Sequence, residues 1–213
     1  VLKTLLVKDD PMSNKSQKLL SKHVLITGAS SGLGEQIAYE AAKKGASVIL
    51  TARRIDRLKE VEMRCREISG VNAYSYQMDL SNPDHVTVVV DSIIQEFDSI
   101  DVLVNNAGFG LFAEALNTPK DVTEEMFQVN VLSLIEITRR IASKMKTTGF
   151  GHVINIASQA SKIATIKSAV YASTKFAVRG YSDALRLELK PFGINVTCVN
   201  IGPMRTEFFQ HAD

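Results

Sequence analysis

Tyr171 and Lys175 stand four residues apart in the segment YASTK, a spacing from which chemistry can be read directly. On a helix, residues i and i+4 share one face with Cβ atoms about 6 Å apart, so the Lys ammonium can act on the Tyr hydroxyl. A free Tyr has a pKa of about 10, too high for a base at neutral pH. A neighbouring cation favours the phenolate and lowers that value, which is the tuning general acid–base catalysis requires. Tyr-x-x-x-Lys by itself is common and on an exposed helix means only a solvated face. Its position after Ser158, which ends a Val/Ile-rich run, changes that reading.

A second cluster is the run TGASSGLG at residues 27–34. Glycines at 28, 32 and 34 let the chain turn tightly, bring backbone N–H groups up to a pyrophosphate and pack a helix close to a sheet. The spacing differs from G-x-G-x-x-G, and a plain tight turn is the competing account. Placed between the first strand and first helix of an alternating fold, the turn becomes a strong signal. The next apolar run leads through Ala52 into Arg53 and Arg54, with no carboxylate before Asp56. NAD calls for an acidic residue there to meet the ribose 2′-OH, whereas two guanidiniums suit a 2′-phosphate, so NADP is expected and NAD is the weaker fit. The alternative is that both arginines merely solvate a helix start. Asp79, followed by Leu80, could accept from an adenine amino group; an acidic helix cap competes, although Ser81 and Asn82 lie closer to that start. In NNAG (105–108), amides and small residues let a loop lie flat against a ligand, and a generic Asn-Gly turn explains it equally well.

Short runs rich in Val and Ile must carry these groups. They fall at residues 23–27, 47–51, 72–78, 101–105, 152–157 and 194–200, separated by helix candidates at 32–44, 55–68, 83–97, 122–145 and 169–190. Strands apolar on both faces and separated by helices form a parallel sheet covered on both sides. The expected fold is therefore α/β: a single-domain, Rossmann-like doubly wound parallel sheet with helices on both faces. Residues 1–22 read as a polar lead-in, with structure beginning at His23. Ligands of such sheets bind outside the carboxyl ends of the strands, where the groups above cluster.

Composition excludes several classes. With 213 residues, 45% hydrophobic content and a net charge of +2, the chain can bury a sizeable core and is neither disordered nor nucleic-acid-binding in character. Cys65 and Cys198 lie outside any metal-ligand pattern and are expected as reduced cytosolic thiols, with Cys198 in a buried strand. No metal is expected. The apolar opening VLKTLLV is short and soon meets Asp9, Asp10 and Pro11, unlike a signal peptide, and no run approaches a membrane span. A soluble, cytoplasmic protein without membrane partners is the expectation.

Taken together, TGASSGLG, NNAG, Asn130 in QVNV, Ser158 and YASTK resemble the short-chain dehydrogenase/reductase family in its single-domain form, over about residues 22–209. The resemblance implies that Tyr171 exchanges a proton with the substrate's alcohol or carbonyl oxygen and that Ser158 orients that oxygen. It implies that Lys175 depresses the Tyr171 pKa and holds the nicotinamide ribose, and that Asn130 supports a water-linked proton path to Lys175. Gly28, Ser30, Gly32, Leu33 and Gly34 match the pyrophosphate turn, Asp79 and Leu80 the adenine site, and Asn106, Ala107 and Gly108 the adenosine side. Gly202 supplies a turn after the sixth strand, and Thr206 matches the hydroxyl that meets the nicotinamide carboxamide. Two departures stand out: Ile201 precedes Gly202 and Pro203 where the family commonly has Pro-Gly, and Ser31 replaces a basic residue before Gly32.

The implied activity is hydride transfer between NADP(H) and a carbonyl or secondary alcohol. An idle dinucleotide-binding sensor or partner-binding protein is the alternative, but it would be free to lose Ser, Tyr or Lys, and all three remain. Phe109, Leu111, Phe112, Ala160, Ile163, Ala164, Met204, Phe208 and Phe209 are pocket candidates for an apolar small-molecule substrate, or else packing residues. The family also implies a homodimer or homotetramer through the helices at 122–145 and 169–190. It usually continues past the sixth strand through a substrate-covering segment into a further strand, so a natural chain longer than Asp213 is expected.

Overall fold

Alternation of side chains along each strand decides which layer every residue serves. In the computed structural model, which describes residues 19–202, six strands form one sheet: β1 (His23–Thr27), β2 (Ser47–Ala52), β3 (Ala73–Gln77), β4 (Val102–Asn105), β5 (Gly151–Ser158) and β6 (Ile194–Ile201). All pairings are parallel, in the order β3-β2-β1-β4-β5-β6. Val24, Ile26, Val48, Leu50, Val102 and Val104 face one layer, formed by α1 (Gly32–Lys43) and α2 (Ile55–Ser69). Leu25, Ile49, Leu103, Val153 and Val196 face the other, formed by α3 (Pro83–Glu96), α5 (Ser133–Thr148) and α6 (Ala169–Leu189). The doubly wound fold read from the sequence is the one observed. Between β1 and β4 the winding reverses, so the connections leave in opposite directions and a crevice opens at the carboxyl ends.

Local signals set the boundaries. Asn82 caps α3 by accepting from the His85 amide at 3.0 Å, with Pro83 in the first turn, so Asp79 is not the cap. Gly70 and Gly149 end α2 and α5 in the left-handed conformation.

Three expectations need correction. Order begins before His23: Leu19 is buried in the core and its amide donates to the Lys44 carbonyl, while Lys22 pairs with Asp101 at 2.9 Å. Residues 1–18 lie outside the described range. The single helix expected at 122–145 is divided into α4 (Lys120–Phe127), a π turn (Gln128–Leu132) and α5. The amide of Asn130 bonds to neighbouring elements, and the wider turn brings it there. Cys198, expected in a buried strand, is only half-buried on β6, whereas Cys65 on α2 is fully buried; both are free thiols.

Behind the carboxyl ends, a buried polar chain fastens sheet to helices. Asn105 on β4 donates to Thr138 on α5 at 2.8 Å and to Asn155 on β5 at 2.9 Å, and Asn155 donates to Ser182 on α6 at 2.9 Å. Ser182 itself donates to the Val178 carbonyl at 2.6 Å. Because all of this is away from water, Ser182→Ala strands the Asn155 amide, at a cost of about 1–3 kcal/mol. Urea denaturation should find the variant destabilised by that amount; an unchanged midpoint would show that the chain does not fasten α6.

Candidate active site

The crevice is built on a contact between two loops. Gly28 and Gly32 adopt positive φ (65° and 59°), turning the chain from β1 into α1. Thr27 Oγ1 accepts from the amides of Asn106 (3.0 Å) and Ala107 (3.1 Å), while Asn106 Nδ2 donates to the carbonyls of Thr27 (3.0 Å) and Gly28 (3.2 Å). A Cβ on Gly34 would stand 2.3 Å from the Gly28 oxygen and 2.5 Å from Asn106 Nδ2. Gly34 therefore serves helix–loop packing and lies behind the cleft.

The cleft holds about 1040 Å³ and is lined by Gly28, Ser30, Gly32, Leu33, Arg53, Arg54, Asp79, Leu80, Asn106, Ala107, Gly108, Ser158, Tyr171, Lys175 and Gly202. The structure thus brings together nearly every residue singled out from the sequence. Gly34 and Asn130 stand outside the lining, and Thr206, Met204, Phe208 and Phe209 lie outside the described residues. Phe109, Phe112, Ala160 and Ile163 line it as well; Leu111 and Ala164 do not.

At one end, Ser31 caps α1 without a side-chain bond to the helix, since its hydroxyl accepts from Arg54 Nη2 at 2.9 Å. The first-turn amides and the positive end of the helix dipole remain available to an anion. Arg53 and Arg54 are exposed on the wall. Burial opposes charge on Asp79, but the Ser81 amide (3.0 Å) and hydroxyl (2.8 Å), with Arg53 nearby, hold its carboxyl below the usual range. An ionised acceptor therefore lines the wall beside Leu80.

At the other end stand Ser158, Tyr171 and Lys175. β5 ends in Ser158, whose Oγ accepts from the Ala160 amide at 3.1 Å and stands beside the Tyr171 phenol, where it favours the ionised form. Lys175, one turn along α6, is 5% exposed; its Nζ donates to the Ile156 carbonyl at 3.3 Å and lies 5.7 Å from the Tyr171 ring centre. Burial pushes the lysine down to about 8 and the tyrosine above its ordinary value, Ser158 only partly offsetting the rise. Burial, which penalises the charged form of each group, sets the direction of both shifts. Tyr171 holds its proton at neutral pH and can donate it.

Asn130 uses its side chain on neighbours. Its Oδ1 accepts from the Phe109 amide at 3.0 Å, and its Nδ2 donates to the Phe109 carbonyl (2.8 Å) and to Thr174 Oγ1 (3.1 Å). It ties the loop after β4 to α6 next to Lys175. A Cβ on Gly108 would meet Asn130 Oδ1 at 2.9 Å and Lys175 Nζ at 3.4 Å, so a side chain would wedge this junction apart.

Comparison with known proteins decides the relationship. The pattern of the family described as short chain dehydrogenase matches residues 22–213. The chain belongs to that family. It is 33% identical over 198 residues to a dehydrogenase/reductase SDR family protein 7-like from Drosophila melanogaster, covering 92% of this chain but only 61% of that protein's length. Among solved structures, a short-chain dehydrogenase from Sphingobium yanoikuyae in complex with NADPH superposes with a TM-score of 0.86 at 32% identity, over 90% of this chain and 75% of that one. An NAD+-bound xylitol dehydrogenase superposes at 0.83 with 30% identity, over 87% and 72% of the two chains. Oxidoreductases of this family act on small molecules with a nicotinamide dinucleotide, and both coenzymes occur among these neighbours. Among the described residues, no helix is long and apolar enough to cross a membrane, and no cluster of His, Cys, Asp and Glu could hold a metal.

Sequence reasoning missed several residues on which this short-chain dehydrogenase site depends. Thr27, quoted only as the first letter of the glycine turn, joins the two loops. Thr174, the last of the three x positions before Lys175 in YASTK, accepts from the Asn130 amide. Gly110 carries no spacing signal, yet a Cβ there would come within 2.7 Å of the Tyr171 ring. Phe112, a pocket candidate from the sequence, has its ring 5.5 Å from the same ring.

Burial of Lys175 has a consequence for stability. Its folded pKa of about 8 lies below its unfolded value. The unfolded chain therefore binds the proton better, and folding carries the full penalty below pH 8, which shrinks as pH rises from about 8 and is nearly gone past about 10. Lys175→Met should remove up to about 3 kcal/mol of this penalty and raise the melting midpoint by a few degrees at pH 7. The gain should vanish near pH 10.5; an equal gain at both pH values would refute the assignment.

Proposed function

We propose that this chain is an NADP(H)-preferring oxidoreductase that interconverts an apolar carbonyl compound and its secondary alcohol. The observation that carries this reading is the convergence of Ser158, Tyr171 and buried Lys175 on one end of a cleft that begins at a helix N-terminus. The residues fit a nicotinamide dinucleotide. Uncapped first-turn amides of α1 suit a pyrophosphate, and the Asp79 carboxylate suits an adenine amino group. Bound there, the nicotinamide ring gives or takes the hydride.

Tyr171 gives the proton to the substrate oxygen in reduction and receives it in oxidation. Ser158 orients that oxygen. Lys175 holds ribose hydroxyls and, once charged, favours the phenolate that reduction leaves behind. Asn130 keeps the Phe109 loop and α6 at fixed separation, which keeps Lys175 in reach. Phe109, Phe112 and Ile163 favour an apolar substrate. Leu132 and Phe176, exposed on the π turn and on α6, support a homo-oligomer through these helices.

Preference for NADP(H) rests on Arg53 and Arg54. Titration should find NADPH bound more tightly than NADH, and Arg53→Ala should weaken NADPH by roughly tenfold to a hundredfold while NADH barely changes. Equal binding of both coenzymes to the unmodified protein would defeat this part of the reading.

The acid–base role is tested separately. Tyr171→Phe should retain coenzyme binding and lose about 10² to 10⁴ in turnover of NADPH across a panel of ketones and aldehydes. Near-normal turnover by the variant on a good substrate would reject the mechanism.

A further inference from the structure

The π turn at Gln128–Leu132 reaches the cleft at a second place, one that the catalytic reading does not use. In a π turn, residue i+5 bonds to residue i, and the Ser133 amide donates to the Gln128 carbonyl. That register stacks the two side chains: Gln128 Nε2 donates to Ser133 Oγ at 2.9 Å. Ser133 is fully buried, and its hydroxyl donates onward to the Leu80 carbonyl at 2.7 Å, with Gln128 Nε2 3.5 Å from the same oxygen. An α-helical turn would have rotated Ser133 away from Gln128 by a residue. The wider turn therefore produces a relay, amide to hydroxyl to carbonyl, that ends on the strip Asp79–Leu80.

The strip is also fixed from its own side of the molecule: the Met78 amide donates to the Ala52 carbonyl at 2.9 Å, the Asn82 amide to the Asp79 carbonyl at 3.3 Å, and the Leu80 side chain is buried in the core. The Asp79 amide reaches His85 Nδ1 at 3.3 Å, and its carboxylate is held within its own turn by Ser81. Both of those partners belong to the same loop or the start of α3. The Ser133 hydroxyl is the bond that ties the strip to α5 across the molecule. A backbone carbonyl fixed by a buried hydroxyl transmits its position to the next peptide, because each residue has only two soft dihedrals.

We propose that Ser133, supported by Gln128, is a positioning residue that sets the aim of the Asp79 carboxylate and so determines selectivity for adenine in the coenzyme. Ser133 touches no ligand; it acts through the Leu80 carbonyl. This inference rests on the dinucleotide reading of the cleft. It also gives the π turn two duties: Asn130 fixes the catalytic end and Ser133 the adenine end.

The test compares NADPH with its analogue in which hypoxanthine replaces adenine, so that a carbonyl stands where the amino donor was. Binding is followed by nucleotide fluorescence on the full chain. The unmodified protein should favour NADPH by roughly tenfold, the worth of one hydrogen bond to a charged acceptor. Ser133→Ala should bring the two affinities within about twofold, and Ser133→Thr, which keeps the hydroxyl, should restore most of the difference. A general loosening of the fold would lower both affinities and leave their ratio alone. Gln128→Leu, which removes only the outer member of the relay, should reduce the ratio as well and serves if Ser133→Ala does not fold. A folded Ser133→Ala or Gln128→Leu protein with the unmodified ratio overturns the proposal, as does an unmodified protein without preference. A protein that binds neither nucleotide refutes the dinucleotide reading, and this inference with it.

Discussion

Two loops from separate halves of the sheet must lie in contact for this molecule to have a site, and Thr27 and Asn106 hold them there. β1 and β4 pair side by side, but their connections leave in opposite directions, so the turn after β1 and the loop after β4 would part without a bond between them. Four hydrogen bonds span the gap, and each is between a side chain and a backbone group of the other loop or of the turn beside it. Backbone amides and carbonyls in such a place need partners in any case. The bonds therefore satisfy the loops and fix their separation at once. Gly28 follows from the same contact: a Cβ there would press to within 2.8 Å of Ala107 Cα.

The other end of the cleft follows the same logic at the level of helices. Asn130 and the chain from Asn105 through Asn155 to Ser182 place buried amides where hydrophobic packing alone would leave α6 free to slide along the sheet. Apolar contacts are nearly indifferent to a shift of an ångström, whereas a hydrogen bond is not. Since Lys175 must reach the Ile156 carbonyl and stay beside Tyr171, directional bonds flank it on both sides: Thr174 to Asn130 before it, and Ser182 to Asn155 two turns later. The amide oxygen of Asn105 lacks a protein partner, so this precision carries some desolvation cost.

What could be read from the sequence was what periodicity and adjacency encode. Val24 and Ile26 pointing one way and Leu25 the other is visible in a run of letters, and so is the order of strands and helices. The Tyr171–Lys175 pair and the glycine turn were equally legible, being local in sequence. The π turn was not: QVNVL has ordinary helical letters, and the reason for the extra residue lies in Phe109 and Thr174, 21 and 44 positions from Asn130. Leu19 was lost in a polar stretch because one buried side chain makes no period. The direction of the Tyr171 shift also escaped, since a spacing of four reports that a lysine is near but not that both groups are dry.

That last point bears on what the site can do. Free tyrosine and lysine lose their protons at nearly the same pH, with lysine slightly the later. In the cleft the order is inverted: burial lowers Lys175 to about 8 and raises Tyr171, so the lysine releases its proton first. A neutral tyrosine beside a neutral lysine and a phenolate beside an ammonium contain the same number of protons, and a dry setting favours the former. At neutral pH, then, Tyr171 keeps its phenolic proton, and Lys175, though lowered, is still mostly charged. Burial thus keeps the phenolic proton in place, and the 5.7 Å between the Lys175 nitrogen and the Tyr171 ring centre couples the two groups, so that a phenolate at Tyr171 would hold Lys175 in its charged form.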